Sequence, residues 1–395
     1  MNEAQEVRTE TLMLNVGPHH PSTHGVLRVL VELEGEVVRN LTPDLGFLHR
    51  GVEKLAESKT YHQFLPITDR LDYMAASYNN FAYCLAVERL LDLEVPPRAQ
   101  YIRVLIGELN RIFSHLFWLG THAHDLGAIT PIFYTLRERE EIMNLFEMAC
   151  GGRLTQTYFR IGGVALDLPE GFEDRVRAFL RDFPRRVDEY ETLLTSNPIW
   201  MKRMVGVGVL SKEDAIALGA SGPMARASGL AWDIRKTEPY SSYDHFDFDV
   251  PVFEDGDVYS RYLVRIEEMR QSARIIGQVL DRLPEGPVLA EEPRWVIPPK
   301  EKTLHQIESL IHHFLLVEEG FHPPEGEVYV AVESPRGELG FYIVSDGGPR
   351  PYRLKIRPPA FVNLESLATM SRGRLLADLI AILSSIDIVL AEIDR

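Results

Sequence analysis

Three histidines stand in one short stretch bounded by glycines, Gly17-Pro18-His19-His20-Pro21-Ser22-Thr23-His24-Gly25. Glycine lets a backbone reverse at positive φ, and proline fixes φ beside it, so this stretch reads as a tight turn between two apolar runs. Imidazole is the side chain that exchanges protons near neutral pH, and a loop tip is a common place to present one. A second stretch, Leu48-His49-Arg50-Gly51-Val52-Glu53-Lys54-Leu55-Ala56-Glu57-Ser58-Lys59, opens a helix with Arg50, Glu53, Lys54 and Glu57 at helical spacing. On residue type alone, an unremarkable hairpin tip and a solvated helix face explain both stretches equally well.

Two further groups carry chemistry. Tyr73, Ser77, Asn80 and Cys84 form a polar stripe on a helix expected over Thr68–Leu93, whose apolar face is Met74, Tyr78, Phe81 and Leu85. The next helix, from Pro96-Pro97 to about Gly120, has the core face Leu105, Leu109, Ile112, Leu116 and Leu119. A second stripe on it reads Glu108, Arg111, His115, Trp118 and His122, with Asp125 just past its end. Ionisable groups opposite an apolar face suggest burial on both sides; a solvated face is the alternative.

The elements that must position these groups follow from periodicity. Thr11–Val16, Gly25–Leu33 and Val37–Leu41 read as strands. Helices are expected over Thr130–Cys150, Glu170–Leu194, Tyr259–Leu283 and Lys300–Glu318, and in a final helical region ending at Asp387–Arg395. Residues 196–257, dense in Gly, Pro, Ser and aromatics, read as long irregular packing segments. Glu327–Val332, Gly340–Val344 and Tyr352–Ile356 alternate like a small antiparallel sheet. The expected class is α+β, a central helical bundle with small antiparallel sheets at its margins. Residues 1–66 form a β-rich region holding the histidine turn and the charged helix, and 67–395 form the helical core.

Composition narrows the function. With 42 basic against 58 acidic residues, the net charge of −16 argues against nucleic acid and against electrostatic binding to an anionic membrane. The two cysteines, Cys84 and Cys150, lie far apart, too few to hold a zinc ion or an iron–sulfur cluster within the chain. Neither a signal peptide nor an arginine-rich presequence is read at the start. The most apolar tail, Leu375 to Ala391, contains Asp378 and Asp387 and falls short of a membrane span. Membrane association is therefore expected only through partners.

The motifs His20-Pro21-Ser22-Thr23-His24-Gly25, Leu48–Lys59 and Asp69-Arg70-Leu71-Asp72-Tyr73 resemble those of the 49-kDa-type (D) subunits of respiratory complex I, proton-translocating NADH:quinone oxidoreductase. Arg160-Ile161-Gly162-Gly163, Glu338-Leu339-Gly340 and Val344-Ser345-Asp346-Gly347 extend the resemblance along nearly the whole chain. It implies a fold like that of nickel–iron hydrogenase large subunits, to which the family is related. Those enzymes hold nickel with two pairs of cysteines. The corresponding places here read Asp72 and Ala75, then Val389 and Glu392, so the soft thiolates that such a site requires are missing.

The resemblance implies that the emptied cavity receives a quinone headgroup, with His24 and Tyr73 as proton donors, His20 beside them, and Asp125 pairing with His24. It places Arg50, Arg70 and Thr155 near a [4Fe-4S] cluster held by the adjacent small subunit, while NADH and FMN are used by other subunits. No metal or cofactor is expected on this chain itself. Expected partners are the cluster-bearing small subunit, other peripheral-arm subunits, and a membrane-arm subunit at the quinone channel, on the cytoplasmic face of a prokaryotic plasma membrane. The equivalent subunit of a ferredoxin- or deazaflavin-fed complex, or an energy-converting hydrogenase large subunit, would share much of this pattern. Two departures stand out: His19 replaces a common glutamine, and Thr155 a common histidine. In the family that histidine is taken to bind a proton when the nearby cluster is reduced.

Overall fold

The computed structural model describes residues 11–17 and 25–395, so His19, His20 and His24 lie outside the described residues. The chain opens with an antiparallel sheet of β1 (Thr11–Val16), β2 (Arg28–Glu34) and β3 (Val37–Asp44), in the order β1-β2-β3. Its alternating Val29, Val31 and Leu33 face the core. Two short helices follow, α1 (Val52–Ala56) and α2 (Tyr61–Thr68), the latter started by a capping box of Thr60 and Gln63. The helix expected from Thr68 instead begins at Ala76, as α3 (Ala76–Leu91). Residues 69–75 are a turn, because the Asp72 side chain competes for backbone donors there.

The centre of the molecule is α4 (Pro97–Asp125), a 29-residue helix with proline in its first turn. It runs about five residues beyond the expected end, so Asp125 is its last residue rather than a loop residue. Apolar Leu105, Leu109, Ile112 and Leu116 are fully buried, and each contributes about 1.5–3 kcal/mol. Glu108, Arg111, His115, Trp118 and His122 are buried as well, so the helix is enclosed on both faces. It packs against α3, α5 (Thr130–Cys150), and two later helices, α11 (Val258–Arg282) and α15 (Leu376–Ile386).

A small hairpin, β4 (Phe159–Arg160) and β5 (Gly163–Val164), precedes α6 (Phe172–Leu194). The 196–257 segment is extended backbone broken by α7 (Pro198–Met204), α8 (Lys212–Ala217), α9 (Pro223–Ala227), α10 (Ile234–Thr237) and a 3-10 turn at Tyr243–His245. The long helix α11 (Val258–Arg282) is N-capped by Asp257. Instead of one helix over Lys300–Glu318 there are two, α12 (Lys300–His305) and α13 (Ile307–Glu318), broken at an extended Gln306 that neither glycine nor proline announces. The second sheet is β6 (Gly326–Ser334), β7 (Gly337–Ser345) and β8 (Arg353–Arg357), all antiparallel. The chain ends in α14 (Pro359–Ser371), α15 (Leu376–Ile386) and α16 (Leu390–Ile393).

The two ends of the chain are joined. Val38 N–H donates to Arg374 O and Gly373 N–H to Val38 O, both at 2.8 Å. The Asp394 carboxylate accepts from the backbone of Gly46 at 2.9 Å and Leu48 at 2.7 Å. The charged face expected on α1 is a clamp in part. Glu53 accepts from Ile356 N–H and from Arg395 at 3.0 Å and pairs with Lys355, while Arg353 reaches Glu57 at 3.0 Å.

Candidate functional site

The site is built on the turn between α2 and α3. Asp72 Oδ1 accepts from the backbone N–H groups of Met74 (3.0 Å) and Ala75 (3.2 Å), a side-chain-capped reversal that prevents α2 from running into α3. Asn79 donates to Asp72 O at 3.0 Å and Asn110 to Met74 O at 3.3 Å, pinning the turn from both neighbouring helices. Tyr73 stands half-buried at its corner between buried Asp72 and Met74. Among the described residues none hydrogen-bonds its hydroxyl.

Behind Tyr73 the other carboxylate oxygen of Asp72 receives Arg336 Nη1. Arg336 sits in the two-residue reversal between β6 and β7, and is fully buried. Its Nη2 reaches Asp387 Oδ1 at 3.1 Å, its Nε donates to Asp387 O at 2.7 Å, and its Nη1 also reaches Ser114 Oγ at 3.3 Å. Asp387 adopts φ 60°, a left-handed conformation that is uncommon for anything but glycine, asparagine or aspartate, at the end of α15. That conformation turns both its carbonyl and its carboxylate toward one guanidinium. Gly222 makes the same turn reachable from the other side, since a Cβ there would stand 2.5 Å from Gly337 Cα.

Burial pushes the Asp72 carboxyl up, the Arg336 charge pulls it down, and Asp387 pushes it up again; the net is upward. Burial, then the Asp72 charge, hold Glu392 well above the ordinary carboxylate range. Burial, then Asp72, also raise the Tyr73 phenol, which therefore keeps its proton at neutral pH. By the resemblance, Asp72, Ala75, Val389 and Glu392 correspond to the four thiolates of the related hydrogenases. The Asp72 and Glu392 carboxyls interact electrostatically across the fold, and the Arg336 guanidinium acts on both. Among the described residues no group of three or more His, Cys, Asp or Glu side chains is arranged to hold a metal.

A second cluster lies at the edge of the same turn. Arg50 Nη2 donates to Arg70 O at 2.7 Å and to Ala391 O at 3.3 Å, and Arg70 Nη1 donates to Pro66 O at 2.7 Å. Both arginines are exposed. Burial first, and then the Arg70 charge, lower the Arg50 pKa. Neither has a carboxylate ion pair among the described residues, so two positive charges face outward together. The Asp69 carboxylate accepts from Thr157 N–H (3.0 Å) and from its hydroxyl, while Ser77 bonds Gln156. These contacts lay Gln156 and Thr157 against the turn, and half-buried Thr155 directly precedes them.

On α4, Asn110 bonds the turn and Ser114 bonds Arg336, while Asp125 stands eleven residues beyond Ser114 on the same helix, about 16 Å by helical rise. Its expected partner His24 is outside the described residues. Near that end of α4, His122 stacks on Trp118 (4.9 Å between ring centroids) and its Nδ1 lies 2.6 Å from Ser384 Oγ. No sequence motif marks Arg336 and Asp387 as site residues. The one signal in the sequence is a long, charged arginine in a tight reversal between two apolar strands, where a solvated residue is the norm.

Comparison with known proteins agrees over the whole length. A family model described as "Respiratory-chain NADH dehydrogenase, 49 Kd subunit" matches residues 125–395. The chain is 55% identical to the D-type subunit of the NADH-quinone oxidoreductase of Geotalea uraniireducens over 387 residues, covering 98% of this chain and 99% of that one. It is 56% identical over 391 residues to the second D-type subunit of Chloroflexus aurantiacus, covering 98% and 95%. It is likewise 56% identical over 386 residues to the second D-type subunit of Koribacter versatilis, covering 98% and 96%. The turn at Asp72, its buried arginine and this similarity together assign the chain to the family of 49-kDa-type (D) subunits of NADH-quinone oxidoreductase, the respiratory-chain NADH dehydrogenase.

Proposed function

We infer that this chain is the quinone-binding subunit of the peripheral arm of a proton-translocating NADH:quinone oxidoreductase. The observation that carries the reading is the buried Asp72–Arg336–Asp387 set with a protonated phenol at its edge, beside Asp72, which the resemblance sets in the place of a hydrogenase thiolate. Reducing a quinone to a quinol takes two electrons and two protons, so a largely apolar pocket must offer O–H or N–H donors to the headgroup oxygens. Tyr73 holds one such proton at its hydroxyl. His24 is the second donor, with His20 beside the headgroup and Asp125 as the carboxylate that orients His24.

Electrons come from a [4Fe-4S] cluster in the adjacent small subunit, and NADH and FMN are used by other subunits. Arg50 and Arg70 turn positive charge toward that subunit, where it favours the reduced cluster, with Thr155 beside them. The remaining partners are the other peripheral-arm subunits and the membrane-arm subunit that borders the quinone channel. No helix among the described residues is long and apolar enough to cross a membrane. The proposed location is peripheral, at the cytoplasmic face of the prokaryotic plasma membrane.

The test is Tyr73→Phe in the assembled complex. Quinone reduction is expected to fall while NADH oxidation by an artificial acceptor at the input module stays at the wild-type rate. Wild-type quinone turnover would overturn the role given to Tyr73.

A further inference from the structure

Helix α13 carries its amphipathic pattern inside out. Ile307, Leu310, Ile311, Phe314 and Leu315 recur at i, i+3, i+4, i+7 and i+8, the apolar stripe that a surface helix ordinarily turns toward its own core. All five are exposed, Phe314 at 63% and Ile307 at 62%, and exposed Leu304 on α12 and Val317 extend the patch. The opposite stripe, Ser309, His312, His313 and Leu316, is the one turned toward the chain, and Leu316 is its only buried member.

The inner side of the helix is loosely seated. A cleft of about 570 Å³ lies between α12, α13 and the proline-rich connection 287–299, with Val288, Leu289, Pro293 and Pro299 on one side and Ser309 and His312 on the other. Only past its C-terminal end is α13 anchored, against α2: Phe321 stacks on Tyr61 at 5.2 Å and meets His62 edge-on at 5.1 Å between ring centroids. The fold therefore holds one end of the helix and leaves its apolar face bare. A contiguous apolar patch of more than a few hundred Å² on a soluble chain marks an interaction surface.

The charges around the stripe select what covers it. Glu308 and Glu318 border it, and neither has an ion pair among the described residues. A second copy packed antiparallel across a two-fold axis would set Glu308 of each against Glu318 of the other, and the net charge of −16 adds to that repulsion. A helix that lies in a membrane surface carries Lys and Arg on its polar face, whereas this one carries Glu308, Ser309, His312 and His313. The family to which the chain belongs works as one subunit of a multi-subunit enzyme. We propose that α13 is a docking helix whose Ile307–Leu315 stripe inserts into an apolar groove, rimmed by lysine or arginine opposite Glu308 and Glu318, on a different subunit of the same oxidoreductase. Ile307, Ile311 and Phe314 are its anchors, at the i, i+4 and i+7 spacing of helix-in-groove recognition. The family membership alone supports this, and the quinone site at Tyr73 plays no part in it.

The experiment uses the purified intact complex with a photoreactive benzoylphenylalanine in place of Phe314. Irradiation should join this chain to one segment of one other subunit, and that segment should combine apolar residues with lysine or arginine. Adducts confined to this chain, to a second copy of it or to lipid, or no adduct at all, would overturn the proposal. Phe314→Ser should speed release of the cross-linked subunit from the complex by roughly tenfold or more. Glu308→Lys and Glu318→Lys should speed it by about two- to fivefold at low ionic strength, an excess that added salt screens away. An unchanged release rate in Phe314→Ser, or in both charge reversals, would overturn the proposal. If Phe314→Ser does not assemble, the charge reversals decide: faster, salt-sensitive release sustains the docking and an unchanged rate ends it. Full quinone turnover in Tyr73→Phe would count against the Tyr73 pocket alone and leave the cross-link standing.

Discussion

Arg336 and Asp387 are joined twice, through Nη2 to Oδ1 at 3.1 Å and through Nε to the Asp387 carbonyl at 2.7 Å. The second bond exists only because Asp387 ends α15 in a left-handed conformation. This pair ties the β6–β7 reversal to the C-terminal segment, and Asp72 ties both to the turn that carries Tyr73.

Breaking that tie should cost more than it removes. Arg336→Met leaves Asp72 and Asp387 buried with no cation, and loss of one partner of a buried ion pair costs about 3–5 kcal/mol. Chemical denaturation of the subunit should show a loss of that order. A change under about 1 kcal/mol would mean that the carboxylates protonate and repack at little expense.

Tyr73→Phe removes one hydroxyl with no hydrogen-bond partner among the described residues, so packing and assembly should survive. A positioned acid is worth about 10²–10⁴-fold in rate. Quinone reductase activity of the assembled variant should fall within that range, against unchanged input-module activity.

Glu108 predicts an acid-sensitive core. Burial pushes its carboxyl up, but Arg111 and Arg235 outweigh burial and bring it down to about 2. A carboxylate whose folded pKa is depressed stabilises above its unfolded value, near 4.5, and loses that stability as pH falls toward about 2. The contribution is about 3 kcal/mol at neutral pH. Stability followed from pH 7 downward should drop in that window, and Glu108→Gln should flatten the drop while lowering the plateau. An unchanged slope in the variant would assign the acid sensitivity to other groups.

On the proposed placement of Thr155 beside a cluster of the small subunit, a redox consequence follows there. Threonine does not titrate in the physiological range. A positive charge roughly 5 Å from the cluster, at an effective dielectric of about 20, is worth about 3 kcal/mol. For one electron this is on the order of 100 mV. The cluster should therefore have a low midpoint with little slope between about pH 6 and 8, and Thr155→His should raise the midpoint at acid pH and introduce a slope. Redox titration followed by electron paramagnetic resonance at several pH values checks this. A native slope near 59 mV per pH unit would place the proton on another group.

Local rules decided much of the chain without help. The α5 boundaries, Thr130 and Cys150, follow from a proline in the first turn and Gly151 in the left-handed region after the last. The three strands of each marginal sheet follow from alternation, and the family was legible in short motifs whose residues are neighbours in sequence. Where the pattern misled, a side chain overrode it: Asp72 captured the Met74 and Ala75 amides and delayed α3 by about two turns relative to its apolar period. What no local pattern carried is the charge arrangement behind Tyr73. Asp72 and Arg336 are 264 residues apart, and Arg336 and Asp387 are 51 apart. Each is an ordinary polar residue in its own segment, and solvated in isolation it would have no fixed partner. Only when α3, α4, β6, β7 and the C-terminal segment close around them does the loss of water make these charges choose one another.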